Sequence, residues 1–185
     1  MEFESIEKKY SGKFIHYYNA TYKTALGNTK VYEMISRNGS IRGIEDIRSD
    51  KCDAVVLIIH TPDHSKILLN HEFRMAVGGV AVNFPAGLVD PGETPETAAA
   101  RELWEETGLK LEKIEEILPA SFSGVGITNE RSCCVIGTAT GDFTPSTSDE
   151  EEITAGWYSK EEVREMLKDT NFAARTQAYC YWWCK

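Results

Sequence analysis

Three glutamates, Glu102, Glu105 and Glu106, stand close together in a stretch with helical periodicity. Projected at 3.6 residues per turn, they gather within an arc of roughly 100°. Ala99, Ala100, Leu103 and Thr107 gather on the other side. Glu102 and Glu106 are an i, i+4 pair of like charge, which costs roughly a few tenths of a kcal/mol in an isolated helix. A helix shaped only for solubility would set lysine or arginine against these acids. Here only Arg101, four residues before Glu105, does so. The imbalance points to a cation supplied from solvent. Oxygen-only donors suit Mg²⁺ or Mn²⁺, which bind few carboxylates and complete their shell with water and phosphate. The competing reading is a solvated acidic helix face.

The helix that must carry these acids is expected over Pro95 to Thr107. Thr94 can cap it, Pro95 suits its first turn and Glu96 complements its positive end. Gly108 supplies a left-handed stop, followed by apolar Leu109. Around it, Lys13 to Lys23 and Lys30 to Arg37 read as strands joined by a turn over Leu26 to Thr29. Asp53 to His60 is a β-branched run expected to be buried on both faces. A turn cluster over Thr61 to Ser65 returns the chain as a strand from Lys66 to Arg74. Further strands are expected near Glu115 to Leu118, Arg131 to Ala139 and Ile153 to Ser159. Lys160 to Leu167 and Asn171 to Trp183 read as helices. Strands mixed with a few helices predict one α/β or α+β layered domain, for which 185 residues are sufficient.

The net charge of −9 disfavours broad nucleic-acid binding, so a phosphate substrate is expected to arrive with a metal ion. The longest apolar run, Ala54 to Ile59, is too short to span a membrane. The charged N-terminus lacks an apolar core, so no secretory signal is expected. Five cysteines (Cys52, Cys133, Cys134, Cys180 and Cys184) without a Cys-x-x-Cys pair fit reduced thiols in a cytoplasm rather than zinc ligands.

Spacing separates the two readings of the acidic helix. Gly87 is followed by five residues, Glu93, seven residues, and then Arg101-Glu102-Leu103-Trp104-Glu105-Glu106-Thr107-Gly108-Leu109. This resembles the full signature of the Nudix hydrolases at every fixed position. The resemblance implies a Nudix-type α/β/α sandwich with a mixed sheet. It also implies roles. Glu102 and Glu106 would be metal ligands, Glu105 a ligand or a supporting partner, and the Ala86 carbonyl a backbone ligand. Glu93 and Arg101 would tie loop to helix, with Gly87 and Gly108 structural.

A weaker resemblance extends to the branch that cleaves ADP-ribose and related nucleoside-diphosphate sugars. It rests on Tyr32 to Arg37, on Glu72-Phe73-Arg74 and on Asn83-Phe84-Pro85-Ala86-Gly87. It implies that Arg37 and Arg74 grip the diphosphate, whose oxygens match the planar guanidinium fork. Surface salt bridges are the alternative for both arginines. It also implies that residues 1–45 form a small antiparallel dimerisation sheet ahead of a catalytic domain over 46–185, giving a homodimer. Tyr18 or Tyr22 could stack a base, or be core or interface residues. Val125 stands where that branch usually has proline, while Glu130 is retained, so the sugar stays open.

The expected reaction is metal-dependent attack of water on a pyrophosphate phosphorus, for ADP-ribose giving AMP and ribose 5-phosphate. One of Glu150, Glu151 or Glu152, or else Glu130, would accept the proton, and Glu151 could also ligate metal. Two alternatives belong to the same superfamily: a nucleoside triphosphate pyrophosphohydrolase and a non-catalytic ADP-ribose sensor.

Overall fold

The computed structural model describes residues 1–185. In chain order the elements are β1 (Glu2–Ser11), β2 (His16–Lys23), β3 (Thr29–Ser36), α1 (Ile44–Ile47), β4 (Ala54–His60), β5 (Lys66–Arg74), β6 (Gly79–Asn83) and β7 (Ala86–Leu88). There follow α2 (Pro95–Thr107), β8 (Lys110–Ile117), β9 (Ser121–Phe122), β10 (Arg131–Thr140), β11 (Ile153–Ser159), α3 (Lys160–Asp169) and α4 (Ala174–Trp183). The chain divides into two compact units. One is Met1–Asp53 with Ala120–Ser132, the other Ala54–Pro119 with Cys133–Lys185.

In the first unit, β1, β2 and β3 form an antiparallel sheet in that order. The strand β1 was not expected. Its register slips between Phe3 and Ser5 and between Lys8 and Tyr10, and these slips break the alternation that marks a strand. β2 starts at His16 rather than Lys13, because Gly12 N–H donates to the Ile15 carbonyl and closes a turn first. The expected turn before β3 is present, with Gly27 at φ 81°. Tyr18, Ala20, Met34 and Ile41 form this unit's core. Tyr18 is fully buried and its hydroxyl donates to the Asn38 carbonyl at 2.7 Å, so it is a core residue rather than a stacking surface. Tyr22 meets Phe3 edge-on at 5.6 Å.

The second unit is built on β4. Its residues alternate between two cores, as the pleat requires. Val55, Leu57 and Ile59 join Leu68 and the α2 residues Ala98, Ala99 and Leu103 on one side. Val56 and Ile58 join Ile67, Leu69, Val82, Val163 of α3 and Cys180 of α4 on the other. The large sheet runs β11-β5-β4-β10-β8, with β6 on β5 and β7 on β4, while β9 pairs with the first residues of β10, Arg131 and Ser132, inside the first unit. Helix α2 on one face and α3 with α4 on the other give the expected α/β/α arrangement.

Several elements match their expected limits: α2, β5 and β11. Others do not. β8 begins at Lys110, before Glu115, since a strand at the end of the sheet tolerates charges on its open face. α4 begins at Ala174 rather than Asn171, because residues 171–173 bind β6. Val82 N–H donates to the Asn171 carbonyl at 2.7 Å, and Ala173 N–H donates back to Val82 at 2.9 Å.

Candidate active site

Helix α2 is fixed at both ends. Thr94 Oγ1 accepts from the Thr97 N–H, and Gly108 closes the helix at φ 77°. Its buried residues are Ala98, Ala99, Leu103, Glu106 and Thr107. This corrects the expected faces in two respects. Ala100 is exposed and Ala98 takes its place, and Glu106 lies within the buried arc. The helix therefore turns one carboxylate toward the sheet, where a solubility face would be useless.

Strand β7 approaches α2 closely. A Cβ placed on Gly87 would lie 1.9 Å from Cδ of Glu102. Any side chain at this position would push that carboxylate aside. Arg101 secures it. Its Nη1 donates to Glu102 Oε1 at 2.8 Å and to Glu105 Oε2 at 3.1 Å. Its Nε and Nη2 bind both oxygens of Glu93 at 2.9 and 2.8 Å, and Nη2 also donates to the Leu88 carbonyl at 2.9 Å. The guanidinium thus joins the β7 strand, the loop after it and the helix in one network. Glu93 completes the loop by accepting from the Asp90 N–H at 3.0 Å, around Gly92 at φ 92°.

Electrostatics divide the acids. The Arg101 fork, helped by the Asp90 N–H, lowers the Glu93 pKa to about 2. Burial raises Glu102 against the pull of Arg101, and the charges of Glu105 and Glu151 push it further. Glu106 is raised most, to about 8, first by burial and then by the negative charges of Glu102 and Glu72. A hydrogen bond from Asn70 and one from the Ala86 backbone oppose that rise. Two buried like charges at this position are costly unless a proton or a cation sits between them.

The donor set fits a hard divalent cation. Glu102 and Glu106 offer only oxygen, and a further buried oxygen, Asn70 Oδ1, has no partner. No three histidine, cysteine or acidic side chains are gathered to close a shell by themselves. A cation held by these residues keeps positions for water and phosphate oxygens.

The remaining candidates fall in two places. Arg74 forms an ion pair with Glu72, which is itself buried, on β5. Glu151 lines a cavity of about 410 Å³ with His71, Phe73, Val80 and Glu152. Its charge is felt at Glu102, whereas the backbone carbonyl of Glu152 accepts from Phe73 N–H at 3.0 Å. Arg37 and Glu130 both belong to the first unit. There Arg37 Nε donates to Glu130 Oε2 at 2.6 Å, beside a cavity of about 280 Å³ that both help to line. Val125, the departure from the expected proline, is exposed. Cys180 and Cys184 are buried in the second core, and burial lifts the Cys180 thiol to about 12, which suits a small apolar filler rather than a metal ligand.

Sequence reasoning missed Asn70. Its one signal was a polar amide inside the apolar run Ile67-Leu68-Leu69 before His71. Asn70 Nδ2 donates to Glu106 Oε2 at 2.8 Å, with both residues buried.

A NUDIX domain model matches residues 50–179, and the chain belongs to that family. Among curated relatives, the mouse (Mus musculus) ADP-sugar pyrophosphatase is 33% identical over 134 residues, covering 71% of this chain and 58% of that protein. The Saccharomyces cerevisiae ADP-ribose pyrophosphatase is 49% identical over 70 residues, covering 38% of this chain and 30% of its own length. The chain therefore spans less than two thirds of the length of these relatives. A solved structure described as an ADP compounds hydrolase superposes with a TM-score of 0.72, covering 99% of this chain and 92% of that one. At 17% identity it shows a shared fold. No helix is long and apolar enough to cross a membrane.

Proposed function

We propose that this chain hydrolyses the pyrophosphate link of a nucleoside-diphosphate sugar, ADP-ribose foremost, releasing AMP and ribose 5-phosphate. The observation that carries this reading is the pairing of Glu102 and Glu106 in a largely buried site against Gly87, with Glu102 held by Arg101. Glu102, Glu106 and the Ala86 carbonyl would hold Mg²⁺, with Mn²⁺ able to replace it and Glu105 in support. When bound, the metal neutralises phosphate charge and acidifies the attacking water.

The protein's own groups supply the rest. Arg101 and Glu93 keep the carboxylates oriented, so that little reorganisation is needed as charge develops. Arg74, on the same β5 face as Asn70 and Glu72, binds diphosphate oxygens with its planar fork. Glu151 is the preferred proton acceptor: it is solvent-facing and its charge reaches Glu102. The N-terminal sheet, with Tyr10, Val31 and Tyr32 exposed, is the surface through which a homodimer would form in the cytoplasm.

The relatives' names support the substrate class. The test is a panel of ADP-ribose, other nucleoside-diphosphate sugars and nucleoside triphosphates with Mg²⁺, scored as kcat/KM. Preference for a diphosphate sugar is the expected result. Faster cleavage of triphosphates would overturn the substrate class, and binding of ADP-ribose without turnover would indicate a sensor.

A further inference from the structure

Strand β5 presents Asn70, Glu72 and Arg74 at alternate positions, so these three share one face of the strand. Leu68, two residues earlier, packs in the core under α2, which fixes that face as the one toward the helix. Both Asn70 and Glu72 are buried there, although burying an amide or a carboxylate is costly unless it is paired. Their burial needs a purpose other than packing.

Asn70 has one partner. Its Nδ2 donates to Glu106 Oε2 at 2.8 Å, while its Oδ1, in a residue only 1% exposed, has none. A buried amide with an unpartnered oxygen is rare and calls for explanation. An apolar side chain of the same shape, such as leucine, would avoid that cost and continue the run Ile67-Leu68-Leu69. We propose that Asn70 is a positioning residue for the divalent cation. By fixing one oxygen of Glu106 it holds the other in a single direction, and its own free carbonyl oxygen gives a neutral acceptor for water on that cation. The inference rests on the metal-dependent reading above.

The effect is expected on cation affinity and through it on turnover. Outer partners of metal ligands typically contribute about tenfold to a hundredfold in affinity. Without its amide partner Glu106 keeps only the hydrogen bond from the Ala86 backbone, so its carboxylate is held less firmly for the cation.

The experiment uses Mn²⁺ alone as probe, titrated calorimetrically into the full chain, the Asn70→Leu and Asn70→Ser variants, and Glu106→Gln. Thermal melts establish which variants are folded, and serine serves if leucine proves disruptive. About tenfold weaker Mn²⁺ binding by a folded Asn70 variant is expected, with kcat on ADP-ribose recovering as Mn²⁺ is raised to saturation. A merely structural amide would leave affinity unmoved and would not be rescued by metal. Mn²⁺ affinity within twofold of the parent in a folded variant overturns the role of Asn70. Unchanged binding in Glu106→Gln overturns the metal assignment itself, and the inference falls with it. Loss there with no change at Asn70 overturns the inference alone.

Discussion

Arg101 binds both oxygens of Glu93, through Nε at 2.9 Å and Nη2 at 2.8 Å, while its Nη1 reaches Glu102 at 2.8 Å. A single planar cation thus holds a loop and a helix at a fixed separation. Lysine can keep the charge but not the fork. Arg101→Lys is expected to lower stability by about 2 kcal/mol, between the values for exposed and buried pairs. Turnover is expected to fall further than stability accounts for. Urea unfolding alongside steady-state kinetics measures both, and wild-type turnover in a destabilised variant would remove Arg101 from the positioning of Glu102.

Glu106→Gln is expected to behave in opposite ways with and without metal. With its folded pKa at about 8 against an ordinary 4.5, Glu106 must hold a proton at neutral pH that the unfolded chain has released. Glutamine escapes that cost, so the metal-free protein should melt higher at neutral pH. The substitution also removes a proposed ligand, so turnover with Mg²⁺ should drop by about a hundredfold or more. Calorimetric melts and product release decide it. Near-parental turnover would sink the helix as the metal site.

The pH dependence of stability follows from the same residue. Its folded pKa lies at about 8 against an ordinary 4.5, so protonation favours the fold. The favourable contribution is complete below about pH 4.5 and is lost as pH rises toward 8. Metal-free stability is therefore expected to decline across that window, and Mg²⁺ should offset the decline because binding requires the deprotonated form. Glu93 runs the other way. Held at about 2, it contributes above its ordinary pKa, and that contribution is lost only in strong acid. Denaturant titrations from pH 4 to 9, with Mg²⁺ and with chelator, would expose the trend. A flat profile in chelator contradicts it.

Gly87→Ala tests the close approach of β7. The added carbon would lie 1.9 Å from Glu102 Cδ, so the carboxylate must move. A displacement of about 1 Å at such a site costs roughly a hundredfold in rate. Expected, then, is a folded protein by circular dichroism with turnover reduced by about that factor. Unimpaired hydrolysis would show that Glu102 need not rest on this backbone.

Local rules made some elements legible and tertiary ones hid others. The α2 limits were readable because Thr94 and Gly108 act within a few residues of the helix ends. β4 was readable because Val55 to Ile59 is apolar throughout, which two-sided burial demands. β1 was hidden by register slips that only its partner strand reveals. The acids of the site were legible through spacing, but the burial of Glu106 was not. A helical projection gives angles around an axis and says nothing of which angle meets the sheet. The amide of Asn70 stood out in its apolar run, but its role did not, since its partner lies 36 positions away in sequence.

The segment Ala120–Ser132 belongs with the first unit, although it interrupts the second in sequence. Ile35 N–H donates to the Ile127 carbonyl at 2.9 Å, and Arg131 pairs with Asp50 at 2.7 Å. Trimming the chain at residue 53 would not be a clean excision. It would strip those partners from an internal loop and leave Arg131, mostly shielded in the whole chain, with no acid to meet. Insertion and leader must therefore be inherited or transplanted together, and a chimera that exchanges only one of them carries half an architecture.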